Sequence, residues 1–212
     1  MWGRCSGVIV ETEAYLAEND EAAHTFNRPS ARAFIERNHP GAAYVYFNYG
    51  VHWMLNVLIK DGKADGFVLI RALEPRRGIE SMRRRRGLAE VTRLCSGPGK
   101  LTQALEITGR HHEMDLCADR RHCFLPRSGK VQVVADERIG ISRSAHLPWR
   151  FTLKGSPFVS RPVNSRARSG CSQGGDFGFL LGCPSVAGVS ARGHNKRRAL
   201  TRRSIERTCA SP

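Results

Sequence analysis

The stretch Ala43-Tyr44-Val45-Tyr46-Phe47-Asn48-Tyr49-Gly50-Val51-His52-Trp53-Met54-Leu55-Asn56-Val57-Leu58-Ile59-Lys60 decides the fold class. It is dense in aromatic and β-branched residues, which favour a pleated, half-buried surface. Asn48-Tyr49-Gly50 interrupts it with turn chemistry, so the reading is a β-hairpin with Tyr49 at its tip. Working outward, Val8, Ile9 and Val10 make a strand of Gly7 to Tyr15, and Phe67 to Ala72 forms another after a turn over Asp61 to Gly66. Val131 to Ala135, Arg138 to Ile141 and Arg150 to Lys154 read as short strands. The helical signals are weaker. His24 to Gly41 is turn-rich, with one or two helical turns over Ala31 to Arg37; Pro75 opens a basic helix over Ile79 to Arg86. Ser96-Gly97-Pro98-Gly99-Lys100 reads as the cap and first turn of a helix over Leu101 to Ile107. Strands and helices do not alternate in βαβ order, so the expectation is α+β: one mixed domain with a curved, mainly antiparallel sheet, flanking helices and a protruding hairpin.

The domain is expected over residues 1–163. Residues 164–212 are rich in Ser, Gly and Arg and read as a disordered basic tail. The whole chain of 212 residues carries 34 Lys and Arg against 19 Asp and Glu, a formal charge of +15. The tail holds nine of those basic residues against two acids, so the body is basic in its own right. Such a balance favours an anionic partner, most commonly nucleic acid, although a solvated basic surface would give the same count. No apolar run is long enough to cross a membrane, and Met1 to Cys5 is too short and polar for a signal peptide. Seven cysteines without a secretion signal read as reduced thiols in the cytoplasm. Cys117 and Cys123 lie near His111, His112 and His122, but their spacing fits no zinc pattern; no metal or cofactor is expected.

The chemistry-bearing residues cluster in the strands. Residues two apart share a face, so Glu11, Glu13 and Tyr15 line one side of the first strand. Glu13 suits a general base that takes a proton from water and steadies a cationic sugar; a surface strand with paired carboxylates is the plain alternative. Arg71 sits at the end of the apolar run Phe67-Val68-Leu69-Ile70 and needs a partner, for which Glu13 is the candidate through water. Tyr44 and Tyr46 share a face as core or pocket wall, whereas Tyr49 at the tip suits a wedge between base steps. Asn56 either reads a base edge or bonds backbone. Ser96, Gly97 and Lys100 lie at a helix N-terminus that would hold a DNA phosphate, or are a plain cap. The run Arg83 to Arg86 suits phosphate backbone or is a solvated face.

Several motifs in order resemble the alkyladenine (3-methyladenine) DNA glycosylase family. They are Val10-Glu11-Thr12-Glu13-Ala14-Tyr15, Asp20-Glu21-Ala22-Ala23-His24, Tyr44-Val45-Tyr46 through Tyr49-Gly50, and Met54-Leu55-Asn56. Further on come Leu69-Ile70-Arg71-Ala72-Leu73-Glu74-Pro75, Leu94-Cys95-Ser96-Gly97-Pro98, Lys100-Leu101 and Gly155-Ser156-Pro157. The resemblance implies a monofunctional base-excision repair enzyme that flips a damaged purine, cuts its N-glycosidic bond and leaves an abasic site. Implied substrates are 3-methyladenine, 7-methylguanine, hypoxanthine and ethenoadenine in double-stranded DNA. A cofactor-free monomer at the bacterial nucleoid is implied as well. By the same resemblance Glu13 is the general base, with Arg71 and the backbone near Ile139 holding the water. Tyr15, His24 and Tyr46 sandwich the base, Asn56 excludes guanine, and Tyr49 fills the gap in the duplex. Family members carry a helix and one or two strands before the Glu-Thr-Glu motif, where this chain has Met1 to Gly7; that shortening predicts an open sheet edge. A nucleic-acid binding protein without catalysis and an unstable truncated product are the competing readings at this point.

Overall fold

The hairpin is present as read. β2 (Ala43–Asn48) and β3 (His52–Ile59) pair antiparallel, with Tyr44 opposite Asn56 and Asn48 opposite His52. The computed structural model describes residues 5–61, 64–119, 121–126 and 129–163; the expected tail lies outside them. Before the hairpin come β1 (Ser6–Leu16), a single turn α1 (His24–Asn27) and α2 (Pro29–Arg37). After it come β4 (Gly66–Arg77), α3 (Ile79–Arg86), α4 (Pro98–Leu105), β5 (Val133–Asp136) and β6 (Arg150–Leu153). The strands form one antiparallel six-stranded sheet in the order β2-β3-β4-β1-β6-β5, giving the expected α+β domain. The strand that carries Glu11 and Glu13 is therefore internal; the outermost strands are β2 and β5, and residues 112–114 bond to the outer side of β2.

The two faces of the sheet are used differently. On one, Ala43, Val45, Leu55, Val57, Val68 and Ile70 pack under Met82 of α3 and Leu101 and Ala104 of α4. On the other, α2 lays Ala31, Phe34 and Ile35 over Tyr44, Leu58 and Phe67. The i, i+3, i+4 spacing of those three apolar residues gives α2 one apolar stripe. Because both faces are covered, β4 is buried from Gly66 through Leu73 and reads as a continuous apolar run instead of an alternating one.

Three irregularities interrupt the β1–β4 ladder, one between Ser6 and Gly7 and two around Glu11. Ile9 pairs Leu73, Glu11 pairs Ala72 and Thr12 pairs Ile70, so Val10 and Arg71 each stand as the extra residue of a bulge. Bulges re-aim side chains, and this one turns Arg71 toward the two carboxylates of β1.

Four expectations need correction. Pro75 lies inside β4, opposite Gly7 and beside a register shift where its missing N–H costs the ladder nothing; α3 instead starts after Gly78, a left-handed glycine. Arg138 to Ile141 is a loop: the Arg138 side chain bonds Asp20 and the Ala14 carbonyl, and the Ile139 N–H goes to Glu13 instead of a ladder partner. The helix α2 begins at Pro29, two residues before the expected Ala31, since the first helical position needs no N–H; α4 starts at Pro98 in the expected first turn but ends at Leu105, short of Ile107. Among described cysteines, Cys95 and Cys123 are free thiols, but Cys117 is disulfide-bonded, so the thiols are not all reduced. Among the described residues no helix is long and apolar enough to cross a membrane, and no His, Cys, Asp and Glu cluster could hold a metal ion.

Candidate active site

Antiparallel neighbours share a face, so the pairings Glu13–Leu69, Leu69–Asn56 and Asn56–Tyr44 run as one row across four strands on the α2 side. Glu13 is fully buried. Its Oε2 accepts from the Tyr15 hydroxyl at 2.8 Å and from Arg71 Nη1 at 3.1 Å, and its Oε1 accepts from the Ile139 backbone N–H at 2.7 Å. An ionised carboxylate offers about four acceptor positions. Three are filled, all by donors, and the one left is on Oε1. The predicted water bridge between Arg71 and Glu13 is thus a direct contact.

Glu11 is the second buried acid of the row. Arg71 Nε and Arg150 Nε both donate to its Oε1 at 2.9 Å, as does Ser160 Oγ at 2.7 Å, and the Ser160 N–H donates to Oε2. Burial alone would raise its pKa, but the Ser160 and Arg150 hydrogen bonds and the Arg71 charge outweigh that and hold Glu11 below the usual carboxylate value. Arg150 also donates to Asp136 at 3.1 Å. Beside this cluster lies a separate pair: Arg138 Nη1 and Nη2 meet Asp20 at 2.6 and 2.8 Å, both side chains fully buried. The Arg138 guanidinium also sits between the rings of Tyr15 and Trp149, 4.6 and 5.1 Å from their centroids. Arg138 therefore fixes both Tyr15 and its own neighbour Ile139, two of the three residues that bond Glu13.

The aromatic wall stands farther along the same face. The His24 ring is 4.3 Å from that of Tyr46, and its Nδ1 is 3.1 Å from the Tyr44 hydroxyl. Tyr44 stacks on Phe67 at 4.5 Å, and Tyr15 and Tyr46 both pack against this cluster. Tyr44, half of the expected pocket wall, is buried as core, whereas Tyr46 is only partly so. Burial pushes the Tyr46 hydroxyl up to about 12 and raises that of Tyr15, helped there by the Glu13 charge, so both stay protonated donors. Asn56 is buried and gives one amide hydrogen to the Tyr44 carbonyl at 3.2 Å, which realises its backbone-bonding alternative with half of its donor capacity.

Burial, with the Arg28 charge adding to it, lowers His24 to about 4. The ring is neutral at ordinary pH and suits an apolar sandwich. Since the unfolded ring titrates near 6.5, the unfolded chain binds more protons between that pH and about 4. His24 thus contributes stability that is present above pH 6.5 and lost as the pH falls toward 4. Thermal melts at pH 6.5 and 4.5 are expected to differ less for His24→Gln than for the wild type; an equal difference contradicts the assignment.

The remaining candidates lie elsewhere. Tyr49 is 91% exposed at the hairpin tip, in a left-handed conformation (φ 50°), flanked by exposed Phe47 and Val51. Ser96, Gly97 and Lys100 belong to the start of α4, which packs on the opposite face of the sheet from Glu13. They adjoin the hairpin instead: a Cβ on Gly99 would fall 2.6 Å from the His52 ring, and Thr102 Oγ1 donates to the Trp53 carbonyl at 2.8 Å. The arginine run on α3 is largely a clasp and not a free basic face. Arg83, Arg85 and Arg86 donate to the carbonyls of Ala89, Ala104 and Leu94, and Arg85 pairs with Glu106. His112 and His111 accept from the backbone N–H groups of Val45 and Thr108. Reading the sequence missed the bonding roles of Glu11, Asp20, Arg138, Arg150 and Ser160. The usable signal was two arginines inside segments read as β, where a buried charge demands a partner.

Residues 1–157 match the family model described as methylpurine-DNA glycosylase. Among similar curated proteins, one from Nitrobacter winogradskyi is 48% identical over 75% of this chain and 76% of its own length. One from Rhodopseudomonas palustris is 49% identical over 74% and 77%, and one from Nitrosospira multiformis 45% identical over 74% and 80%. All three are named as candidate 3-methyladenine DNA glycosylases.

Proposed function

Since the chain belongs to the methylpurine-DNA glycosylase family, and is thus a DNA glycosylase of base-excision repair, we propose that it flips damaged purines out of double-stranded DNA and hydrolyses their N-glycosidic bond with a water activated by Glu13. The observation that carries this is the bonding of Glu13: three donors pin it, and the acceptor position left on Oε1 is where a water would be held. That water gives its proton to the carboxylate as its oxygen attacks the sugar C1′, and the bonding pair of the N-glycosidic bond leaves with the purine. The negative carboxylate also steadies the oxocarbenium-like sugar as the bond breaks.

The other residues fall into place around that step. Tyr15, His24 and Tyr46 sandwich the flipped purine, and Asn56 presents the remaining polar edge that disfavours a guanine amine. Tyr49 occupies the vacated stack, while the amides of Ser96 and Gly97 with Lys100 hold phosphate beside the hairpin. The implied substrates are 3-methyladenine, 7-methylguanine, hypoxanthine and ethenoadenine; alkylated purines leave as neutral bases, and damaged bases unstack cheaply. The protein acts as a monomer on the chromosome in the cytoplasm, without metal or cofactor.

The test is incubation of the purified chain with duplexes that carry one hypoxanthine or one 7-methylguanine, followed by chromatography of the released bases. Free damaged base from either duplex is the expected result. Tight binding of both duplexes without release would mean a binding protein that catalyses nothing. For the wedge, a 2-aminopurine next to the lesion reports unstacking by fluorescence. Tyr49→Ala removes about 1–3 kcal/mol of stacking, so the fluorescence rise and the rate at limiting enzyme are both expected to drop roughly ten-fold or more. An unchanged rise removes Tyr49 from this role.

A further inference from the structure

We propose that Glu11 is a positioning residue for the proposed hydrolysis: by holding Arg71 at Nε directly and at Nη2 through Ser160, it keeps the guanidinium to one contact with Glu13 and leaves the Oε1 position open for water. The inference rests on the glycosylase reading and adds a residue to its mechanism.

The three nitrogens of Arg71 reach three different acceptors. Nε–H goes to Glu11 Oε1 at 2.9 Å, Nη1–H to Glu13 Oε2 at 3.1 Å and Nη2–H to Ser160 Oγ at 3.3 Å. Ser160 in turn donates its hydroxyl and its N–H to Glu11. Glu11 therefore grips Arg71 directly on one side and through Ser160 on the other. An arginine beside a lone carboxylate takes the bidentate, fork-on-fork arrangement. That arrangement at Glu13 would fill its oxygens, remove the position for water and oppose protonation. Arg71 stands at a bulge, so no ladder partner fixes its angle and the side-chain bonds must do it.

The charges around Glu11 point the same way. Arg71 from β4 and Arg150 from β6 face it; Arg150 is shared with Asp136 of β5, and Glu13, with the Tyr15 hydroxyl on it, lies two residues along β1. Asp20 and Arg138 form their own pair beyond Tyr15. Glu11 thus takes charged contacts from both guanidinium groups, whereas Glu13 takes one, from Arg71. Neutralising Glu11 removes the nearer competitor for Arg71 and frees it to close on Glu13.

The experiment uses the full chain with single-turnover excision of hypoxanthine from a duplex across pH, a thermal melt on each sample, and side-chain 1H–15N exchange of Arg71 Nε–H. Glu11→Gln is expected to slow excision about 10²-fold, the scale of a catalytic group displaced by an ångström, with the affinity for the damaged duplex unchanged. Its acid limb moves to lower pH, because Arg71 now opposes protonation of Glu13, and Arg71 Nε–H exchange quickens in Glu11→Gln but not in Glu13→Gln. A slower rate with the acid limb unmoved, or equal exchange in both variants, overturns the proposal and leaves Glu11 a structural residue. Should Glu11→Gln fail to melt cooperatively, Ser160→Ala decides: it keeps every charge and removes only the hydroxyl between Arg71 and Glu11. A slower rate with the same displaced limb supports the proposal, and an unaltered profile overturns it. A wild type that excises nothing defeats the glycosylase reading itself; the exchange contrast between Glu11→Gln and Glu13→Gln then still decides whether Glu11 holds Arg71.

Discussion

Glu13→Gln is expected to slow release of the damaged base by about 10³-fold, within the range for loss of a general base, while the affinity for the damaged duplex stays within a few-fold. The substitution keeps the volume and one oxygen but cannot take a proton. Its cost in stability follows from the partners: the Tyr15 hydroxyl, Arg71 and the Ile139 N–H all donate to Glu13, and a glutamine amide turns one acceptor into a donor that faces another donor. Leaving one buried donor unmet costs about 1–3 kcal/mol, so the variant should melt a few degrees lower yet cooperatively. Single-turnover rates and a binding titration on one preparation check both halves. Equal loss of rate and affinity would place Glu13 in binding instead of proton transfer.

The largest effect on stability is expected from Asp20→Ala. Asp20 and Arg138 are both fully buried and bond through two charge-assisted contacts. Breaking such a pair from one side strands the other charge and costs about 3–5 kcal/mol. For a domain of this size that is roughly a 10 °C fall in Tm. Activity should fall too, because Arg138 carries the loop that aims the Ile139 N–H at Glu13 and stacks on Tyr15. Asp20→Asn keeps the shape and two acceptor positions on its oxygen, so it should lose clearly less in a thermal melt. Equal losses in the two variants would mean that the charge of Asp20 contributes little.

Much of the site was legible because it obeys local rules. Period-two alternation put Glu11, Glu13 and Tyr15 on one face, and Asn48-Tyr49-Gly50 announced a hairpin whose tip residue has no core to enter. A buried Arg71 had to have an acidic partner, and Glu13 is one. That Glu11 is the other depends on bulges at Val10 and Arg71, which leave no mark in the residue pattern. The loop bearing Ile139 was misread as a strand since its two isoleucines suggest alternation, while its purpose, a backbone N–H delivered across 126 residues of sequence, is a tertiary fact. The arginines of α3 looked like a DNA-facing stripe because composition does not distinguish an exposed cation from one that clasps carbonyls. Prolines misled in both directions: Pro29 starts a helix expected only from Ala31, and Pro75, read as a helix opener, sits in a strand at a register shift.

Hydrolysis by a carboxylate-held water, with no amine nucleophile on the sugar, is the central claim. It is tested most directly by a duplex with a single hypoxanthine, incubated with excess wild type or Glu13→Gln and run on a denaturing gel before and after alkali. The expected result is an intact strand before alkali and a broken one after it for the wild type, and an intact strand throughout for Glu13→Gln. Breakage before alkali would show an amine attacking the sugar, and equal breakage by the two proteins would remove Glu13 from the chemistry; either result contradicts the claim.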